Sequence, residues 1–520
     1  MKSEPLLLAI DVGTQSVRAL VFDAAGGQRA RARVVLAPPF TASQPGWAEQ
    51  DPEVYWRALV QCCAALWDGG AAPAAQVMAV ALTTQRGTVV CADVQGRALR
   101  PAIVWPDARL ASSVPPLGLL WGAALRAAGA RDLVARLQAQ AEANWLAQHE
   151  PALWARCERY GLLSTWLTHR LVGDWVDSAA CQVGYLPFDH RRQQWAAARD
   201  WRWQALAVRA AQLPRLVAPT VPLGALTDAA ADALGLPRRL PLIAAAADKA
   251  CEVLGCGALA PDAAHLSLGT AAAINTTQPR YVEVQRLLPA YPAALPGHWN
   301  TEVHVPRGFW MISWFAEQFG AAERARAATL GVEVETLFDE LLAATPPGAL
   351  GLVLQPHWGA GLRDPGPEAR GALIGFGAVH TRAHVYRALV EGLLYALRAG
   401  RERIEQRTGR RLGSLHISGG GAQSDAVAQI AADMFGLTAQ RPAAHETSAL
   451  GAAMLAAVGL GLHADVGTAA RAMARPGSRF EPQHAAARNY DAVYREVYRP
   501  LYGRLRPLYV RLRRITGYPP

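Results

Sequence analysis

Lysine is nearly absent from this chain: of 52 basic residues only Lys2 and Lys249 are lysine, leaving 50 arginines. That excludes a P-loop nucleotide site, whose G-x-x-x-x-G-K-[ST] turn needs a lysine after its second glycine. Paired cysteine motifs are missing too. The seven cysteines are scattered, Cys62 and Cys63 are adjacent, and no CxxC pairs with a second CxxC or with spaced histidines. Neither a zinc site nor a disulfide framework is indicated, and reduced thiols in the cytoplasm are expected. Long apolar runs are also lacking: the Ala-rich stretches are broken by Gly, Pro or charge well before a membrane-spanning length. Met1 to Pro5 is short and polar and reads as no signal peptide. A soluble protein is expected.

What is present describes a folded, multidomain chain. It has 520 residues, 51% hydrophobic and 18% charged, too long for one core. The net charge of +10 (52 basic minus 42 acidic) raises the question of a nucleic-acid partner. The arginines, however, are spread along the chain among acids, with one dense cluster from Arg499 to Arg514. A solvated basic face accounts for them, and no nucleic-acid or membrane partner is expected.

Apolar Leu6 to Ile10 ends in Asp11-Val12-Gly13-Thr14-Gln15-Ser16 and resumes as Val17 to Asp23, a strand–turn–strand hairpin. A second such unit runs from His265 to Asn275 with Gly269-Thr270 at its turn, 256 residues on (269 minus 13). Two domains of similar plan follow. Val77 to Leu82 and Leu242 to Ala247 read as buried strands, delivering Thr83-Thr84-Gln85 and Asp248 at their ends, where ligands of α/β sheets collect. Ala-rich helical stretches, such as Trp56 to Trp67 and Ala383 to Arg398, alternate with the strands, giving an α/β class. Pro237 to Pro241 marks a boundary. Tyr490, Tyr494, Tyr498 and Tyr502 form one helical face suited to packing, and Pro500 and Pro507 are expected to kink or break that helix.

Several residues could carry chemistry. The turns Gly13-Thr14-Gln15-Ser16 and Gly269-Thr270 can aim N–H groups and hydroxyls at phosphate oxygens, or be ordinary hairpins. The run Leu415 to Asp425 passes a strand into Gly419-Gly420-Gly421 and then a helix capped by Ser424 or Asp425. Its flat turn suits an adenine ring or merely tight packing. Asp11 suits a hydrated Mg²⁺–phosphate complex or a turn cap. Asp248, at the mouth of a buried strand, is a base for phosphoryl transfer to an alcohol or a helix cap. Gln85-Arg86 and Trp105, Asp107 and Arg109 offer planar donors, a carboxylate and an indole face for a polyhydroxylated ligand, or else buried ion pairs.

Together these segments resemble the FGGY family of carbohydrate kinases, of the actin-like ATPase superfamily. The resemblance runs from Ile10–Ser16 through Gly46–Pro52, Ile103–Arg109, Ser267–Thr270 and Ser418–Ala422 to Glu446–Ala453. It implies an α/β chain of two actin-like (ribonuclease H-like) domains around a central cleft, with 1–243 as the sugar-binding domain, 244–470 as the catalytic and adenosine domain, and 471–520 as a helical extension. It implies MgATP as donor, with phosphates at Gly13, Thr14, Gln15, Ser16, Arg18, Gly269 and Thr270, adenosine at Gly420, Gly421 and Ala422, and Mg²⁺ near Asp11. Asp248 would be the base, and Gln85, Arg86, Trp105, Asp107 and Lys249 the acceptor site. A homodimer is compatible with it.

This chain departs from the family pattern around the acceptor. Many members carry Asp-Gln where this chain has Asp248-Lys249, and Gly87 stands where an acid usually follows Arg86. The expected acceptor is a small sugar, a ketopentose such as xylulose first, with a polyol such as glycerol or a sugar acid as alternatives. Lys249 is expected to contact an acceptor hydroxyl or the transferring phosphate and to hold Asp248 ionised. The competing functions are a non-kinase actin-like ATPase and an inactive sugar sensor.

Overall fold

The computed structural model describes residues 5–518 except 115, 306, 360 and 362–364. The expected absence of a leader at Met1 to Glu4, like Lys2 itself, lies outside that range. The chain divides into two units.

The first unit comprises residues 1–257, 279–300 and 446–475. Its main sheet has six strands in the order Pro222–Ala225, Pro241–Ala244, Val77–Thr84, Leu6–Val12, Ser16–Asp23, Gln28–Val35. Leu6–Val12 and Ser16–Asp23 form the expected hairpin, antiparallel, with Val12 opposite Val17. Leu6–Val12 is parallel to Val77–Thr84, which is parallel to Pro241–Ala244. Every side chain of Leu6–Val12 is buried, as in a strand covered on both faces. Leu6, Leu8, Ile10 and Val12 join a core with Tyr55, Leu59 and Trp166. By strand alternation Leu7, Ala9 and Asp11 point the other way. A smaller sheet of four strands (Glu49–Gln50, Ala102–Ile103, Val89–Ala92, Arg159–Leu162) builds on a second core holding Trp145, Trp154, Tyr160 and Phe188.

Helix Asp248–Gly255 crosses helix Thr447–Gly459 in this unit at very short range. A Cβ added at Gly255 would lie 2.0 Å from the Thr447 carbonyl oxygen, and one at Gly451 would lie 2.0 Å from the Cys251 carbonyl oxygen. Only glycine at both positions permits the crossing. The helix carrying Asp248 belongs to the first unit, whose first segment ends at Gly257.

The second unit comprises residues 258–278, 301–445 and 476–520. The second expected hairpin is there: Ala263–Leu268 is antiparallel to Ala272–Gln278 and parallel to Ser414–Ser418. The plan of the first unit recurs. Helix Arg382–Thr408 packs over this sheet, with Gly400 letting it approach Ile274 and Val303. Tyr490, Tyr494 and Tyr498 are buried, and Tyr494 and Tyr498 lie 6.0 and 5.1 Å from the Tyr395 ring centroid. The prolines do not break this helical tail. A π-helical turn at Tyr494–Tyr498 precedes Pro500, which occupies the first turn of helix Arg499–Thr516. Pro507 sits inside that helix, and the carbonyl it leaves without a donor belongs to Gly503, which is exposed.

All seven cysteines are buried and free. Among the described residues, no helix is long and apolar enough to cross a membrane.

Candidate active site

Three parallel strands of the first unit end side by side. Val12 pairs with Thr84, and Ala244 pairs with Leu82. Their C-terminal ends therefore bring together the Gly13–Ser16 turn, Gln85-Arg86 and, after the buried run Ala245–Ala247, Asp248. The Gly13 amide donates to the Ser16 carbonyl at 3.0 Å and closes the turn. Thr14 is tied down by its neighbours: its hydroxyl donates to Gln85 Oε1 at 2.5 Å and accepts from the Trp105 indole at 2.8 Å. Gln85, itself buried, donates from Nε2 to the Tyr55 hydroxyl at 3.1 Å. The phosphate turn and the acceptor loop are thus one hydrogen-bonded piece. Arg86 lies over the Tyr291 ring, 5.1 Å from its centroid.

Asp248 is the first residue of its helix, where the helix dipole favours a negative charge. It is half-buried, and its Oδ1 accepts the Lys249 amide at 2.7 Å. Burial raises its pKa, while the positive charges of Lys249 and Arg86 pull it back toward the ionised form. Asp248 does not cap this helix, whose N-cap is Ala247; it stands at the first helical position with one oxygen on the Lys249 amide. Lys249 points its ammonium at Glu252, 2.8 Å away and one turn on. Burial works against that charge, but Glu252 and Asp248 outweigh it and hold the lysine protonated.

Asp11 is buried and meets Arg18 at 3.3 Å; Arg18 also meets Glu446 at 3.3 Å, and Arg31 meets Glu446 at 3.0 Å. Burial pushes the Asp11 pKa up to about 7, Arg18 opposes this, and Asp248, Glu446 and Glu252 add to it. Glu446 is shared by Arg18 and Arg31, and Glu252 is paired with Lys249, so Arg18 is the cation that meets Asp11 itself. The described residues contain no group of three side chains arranged to ligate a metal.

Trp105 is 39% exposed, with its indole N–H on Thr14. Asp107 is fully engaged: it accepts from Arg109 Nε at 2.8 Å and Nη2 at 2.7 Å and from the Ala48 amide at 2.6 Å. Arg109 also bonds Glu49 at 2.8 Å and lies against both Trp47 and Trp145, 3.9 and 4.6 Å from the centroids of these two edge-to-face rings. Of the two expectations for this pair, the structure realises the buried ion pair.

In the second unit, Gly269-Thr270 meets the glycine-rich turn directly. A Cβ at Gly419, where φ is +90°, would sit 2.8 Å from the Leu268 carbonyl carbon and 3.0 Å from the Gly269 nitrogen. Gly420 faces open space, whereas Gly421 backs onto the Phe309 ring and Ala422 is buried. The flat surface belongs to Gly420, and tight packing explains Gly421. Ser424 caps the next helix, its hydroxyl accepting from the Val427 amide at 3.1 Å.

Four residues escaped the sequence reading. Glu252 was accessible from its i,i+3 spacing to Lys249, and Glu446 opens a segment already singled out. Tyr291 carried no signal. Glu142 carried none either: one of its oxygens is buried without a hydrogen-bond partner, and burial pushes its pKa up to about 8, with Asp107 adding and Arg109 opposing.

The model of the FGGY family of carbohydrate kinases, N-terminal domain, matches residues 6–255, and that of the C-terminal domain matches 264–460. The chain belongs to the FGGY family of carbohydrate kinases. It is 32% identical to a glycerol kinase of Dechloromonas aromatica over 94% of this chain and 95% of that one. It is 25% identical to a xylulose kinase of Lactococcus lactis over 95% and 96%. The xylulose kinase of Rhodospirillum rubrum superposes with a TM-score of 0.80 at 27% identity, covering 97% of this chain and 99% of that structure. This FGGY kinase is therefore a phosphotransferase acting on an alcohol group of a sugar or polyol, with the mixed α/β fold of its actin-like relatives. ATP use follows from the family.

Proposed function

We propose that this FGGY kinase transfers the γ-phosphate of MgATP to a hydroxyl of a small neutral sugar, with Asp248 as general base. The observation that carries this reading is the convergence of the Gly13–Ser16 turn, Arg86 and Asp248 at three parallel strand ends. Phosphoryl transfer to an alcohol needs positioning, charge neutralisation and a group to take the hydroxyl proton. Asp248 sits among apolar residues that raise its basicity and two cations that keep it ionised, the balance a base requires. Gly13, Thr14, Gln15, Ser16 and Arg18 in the first unit, and Gly269, Thr270, Gly420 and Ala422 in the second, are the proposed nucleotide-contacting residues. Bound Mg²⁺ would neutralise phosphate charge beside Asp11.

For the acceptor, Arg86, Trp105 and Lys249 are the proposed contacts, with Gln85 and Asp107 positioning them. The pairing of Lys249 with Glu252 leaves little net charge there, which favours a neutral acceptor over a sugar acid. A ketopentose is the proposed class, with xylulose the first compound to test and glycerol its competitor. Coupled ADP-release assays across ketopentoses, aldoses, polyols and sugar acids test this. Acceptor-dependent ADP release with one of the neutral compounds is expected, and Asp248→Asn should lower kcat by about 10²- to 10⁴-fold. Release that ignores every acceptor, or is unchanged in Asp248→Asn, would return the protein to the non-kinase ATPases.

A further inference from the structure

The arginine cluster of the C-terminal helix plays no part in phosphoryl transfer as described above. Helix Arg499–Thr516 carries two adjoining apolar strips. One is buried on the second unit: Tyr502 donates to Glu368 at 2.7 Å, Tyr509 donates to Gln355 at 3.2 Å, and Tyr498 is buried as well. The other face is Leu501, Leu505, Leu508, Leu512 and Ile515, with spacings of 4, 3, 4 and 3. That is the a/d repeat of a coiled-coil seam. Leu501 is covered, but Leu508, Leu512 and Ile515 are 50%, 45% and 73% exposed.

The charges beside this seam are of one sign. The helix contains six arginines and no acid. Arg506 is paired with Glu368, and Arg499 with Glu402. Arg504 and Arg511, each one residue before a seam leucine, border its outer side and are seven residues apart, in register with it. Among the described residues neither has an acidic partner within ion-pair distance.

We propose that this helix is a docking seam for an acidic amphipathic helix of another protein. Leucines of the partner would fill the gaps between Leu505, Leu508, Leu512 and Ile515, and its flanking carboxylates would meet Arg504 and Arg511. The spacing and the charge together select this occupant. A membrane-lying helix needs a broad apolar face, and here the positions next to the seam are already buried as tyrosines. A second copy of this chain in antiparallel pairing would set Arg504 and Arg511 against the same residues, a like-charge contact that disfavours it.

The test uses the full chain and a fluorescein-labelled 21-residue helix with Leu at a and d and Glu at e and g, read by anisotropy. A peptide with Lys at e and g is the control. The Glu peptide should bind and the Lys peptide should not, with affinity falling about tenfold or more between 50 and 500 mM NaCl. Leu508→Ser/Leu512→Ser should abolish binding. Arg504→Glu/Arg511→Glu should reverse the preference to the Lys peptide while ADP release stays unchanged, which shows that the variant is folded. Equal binding of both peptides, or no reversal in the charge-swapped variant, would overturn the proposal. So would sedimentation with vesicles of phosphatidylcholine and phosphatidylglycerol at 3:1 in place of peptide binding. A dimer that dissociates in Leu508→Ser/Leu512→Ser would reassign the seam to self-association.

Discussion

Gly451→Ala tests whether catalysis depends on the close crossing of the two glycine-bearing helices. The added Cβ would lie 2.0 Å from the Cys251 carbonyl oxygen, 2.7 Å from its carbonyl carbon and 2.9 Å from its Cα. Side-chain carbons do not approach other atoms within 3.0 Å, so the helices must part by at least 1 Å (3.0 minus 2.0). Every atom met is backbone, so no side chain can swing aside. Overpacking of this kind costs about 3 kcal/mol, which at ~2–4 °C per kcal/mol lowers Tm by roughly 6–12 °C. Asp248 stands three residues before Cys251 on the displaced helix. A displacement of about 1 Å at a reacting group costs on the order of 10²-fold in rate. Calorimetry and acceptor-dependent ADP release should therefore both fall, with kcat hit harder than the KM for ATP. A variant with Tm within about 2 °C of the parent and full kcat would show that the helices do not cross as described.

Three further outcomes follow from named groups. Lys249→Met removes a charge that lowers the Asp248 pKa; the base then needs a higher pH to ionise, so the acid limb of the kcat–pH profile should move up, and an unmoved limb would show that Lys249 does not act on Asp248. Glu142, with a usual carboxylate pKa of 4.5 raised to about 8 on folding, binds more protons folded than unfolded, so its contribution falls as pH rises between those values, by up to about 1.4 kcal/mol per pH unit. Glu142→Gln should flatten that decline in urea midpoints measured at pH 5, 6.5 and 8, and parallel curves would refute it. Arg387 bonds Glu391, Tyr490, Thr345 and the Leu342 carbonyl in the interior of the second unit. Arg387→Met should cost about 3–5 kcal/mol, and Arg387→Met/Glu391→Leu should recover much of it; an equal loss in both would mean the carboxylate is not the liability.

The hairpins and the strands behind Gln85 and Asp248 were legible because each is a short apolar run ended by Gly, Thr or a charge, a local signal. The tail was harder to read. Two prolines argued for a break after Tyr498, yet the helix resumes, because a π turn resets the register before Pro500 and an exposed glycine carries the carbonyl that Pro507 orphans. Tertiary packing of four tyrosines outweighs one missing hydrogen bond. The boundary between the units was illegible for a related reason. Nothing near residue 248 announces a contact with residue 451, and the two glycines of that helix crossing lie 196 residues apart (451 minus 255).

The site divides along the same line. Gln85 follows a strand end directly and Asp248 follows one after Ala245–Ala247, placements that their apolar runs made legible. The partners that set their chemistry were not, since Tyr291 under Arg86 and Glu446 beside Arg18 arrive from distant segments. Lys249 is the instructive case. A lone internal lysine next to the base looked aimed at the substrate, but Glu252 one turn away takes its ammonium first. That ion pair still acts on Asp248, because the downward pull of the Lys249 charge on its pKa outweighs the upward push of Glu252. Lys249 can therefore tune the base in addition to contacting the acceptor. The substitution of Lys for the Gln many relatives carry is thus as readily a change in the base's environment as a change in what the enzyme binds.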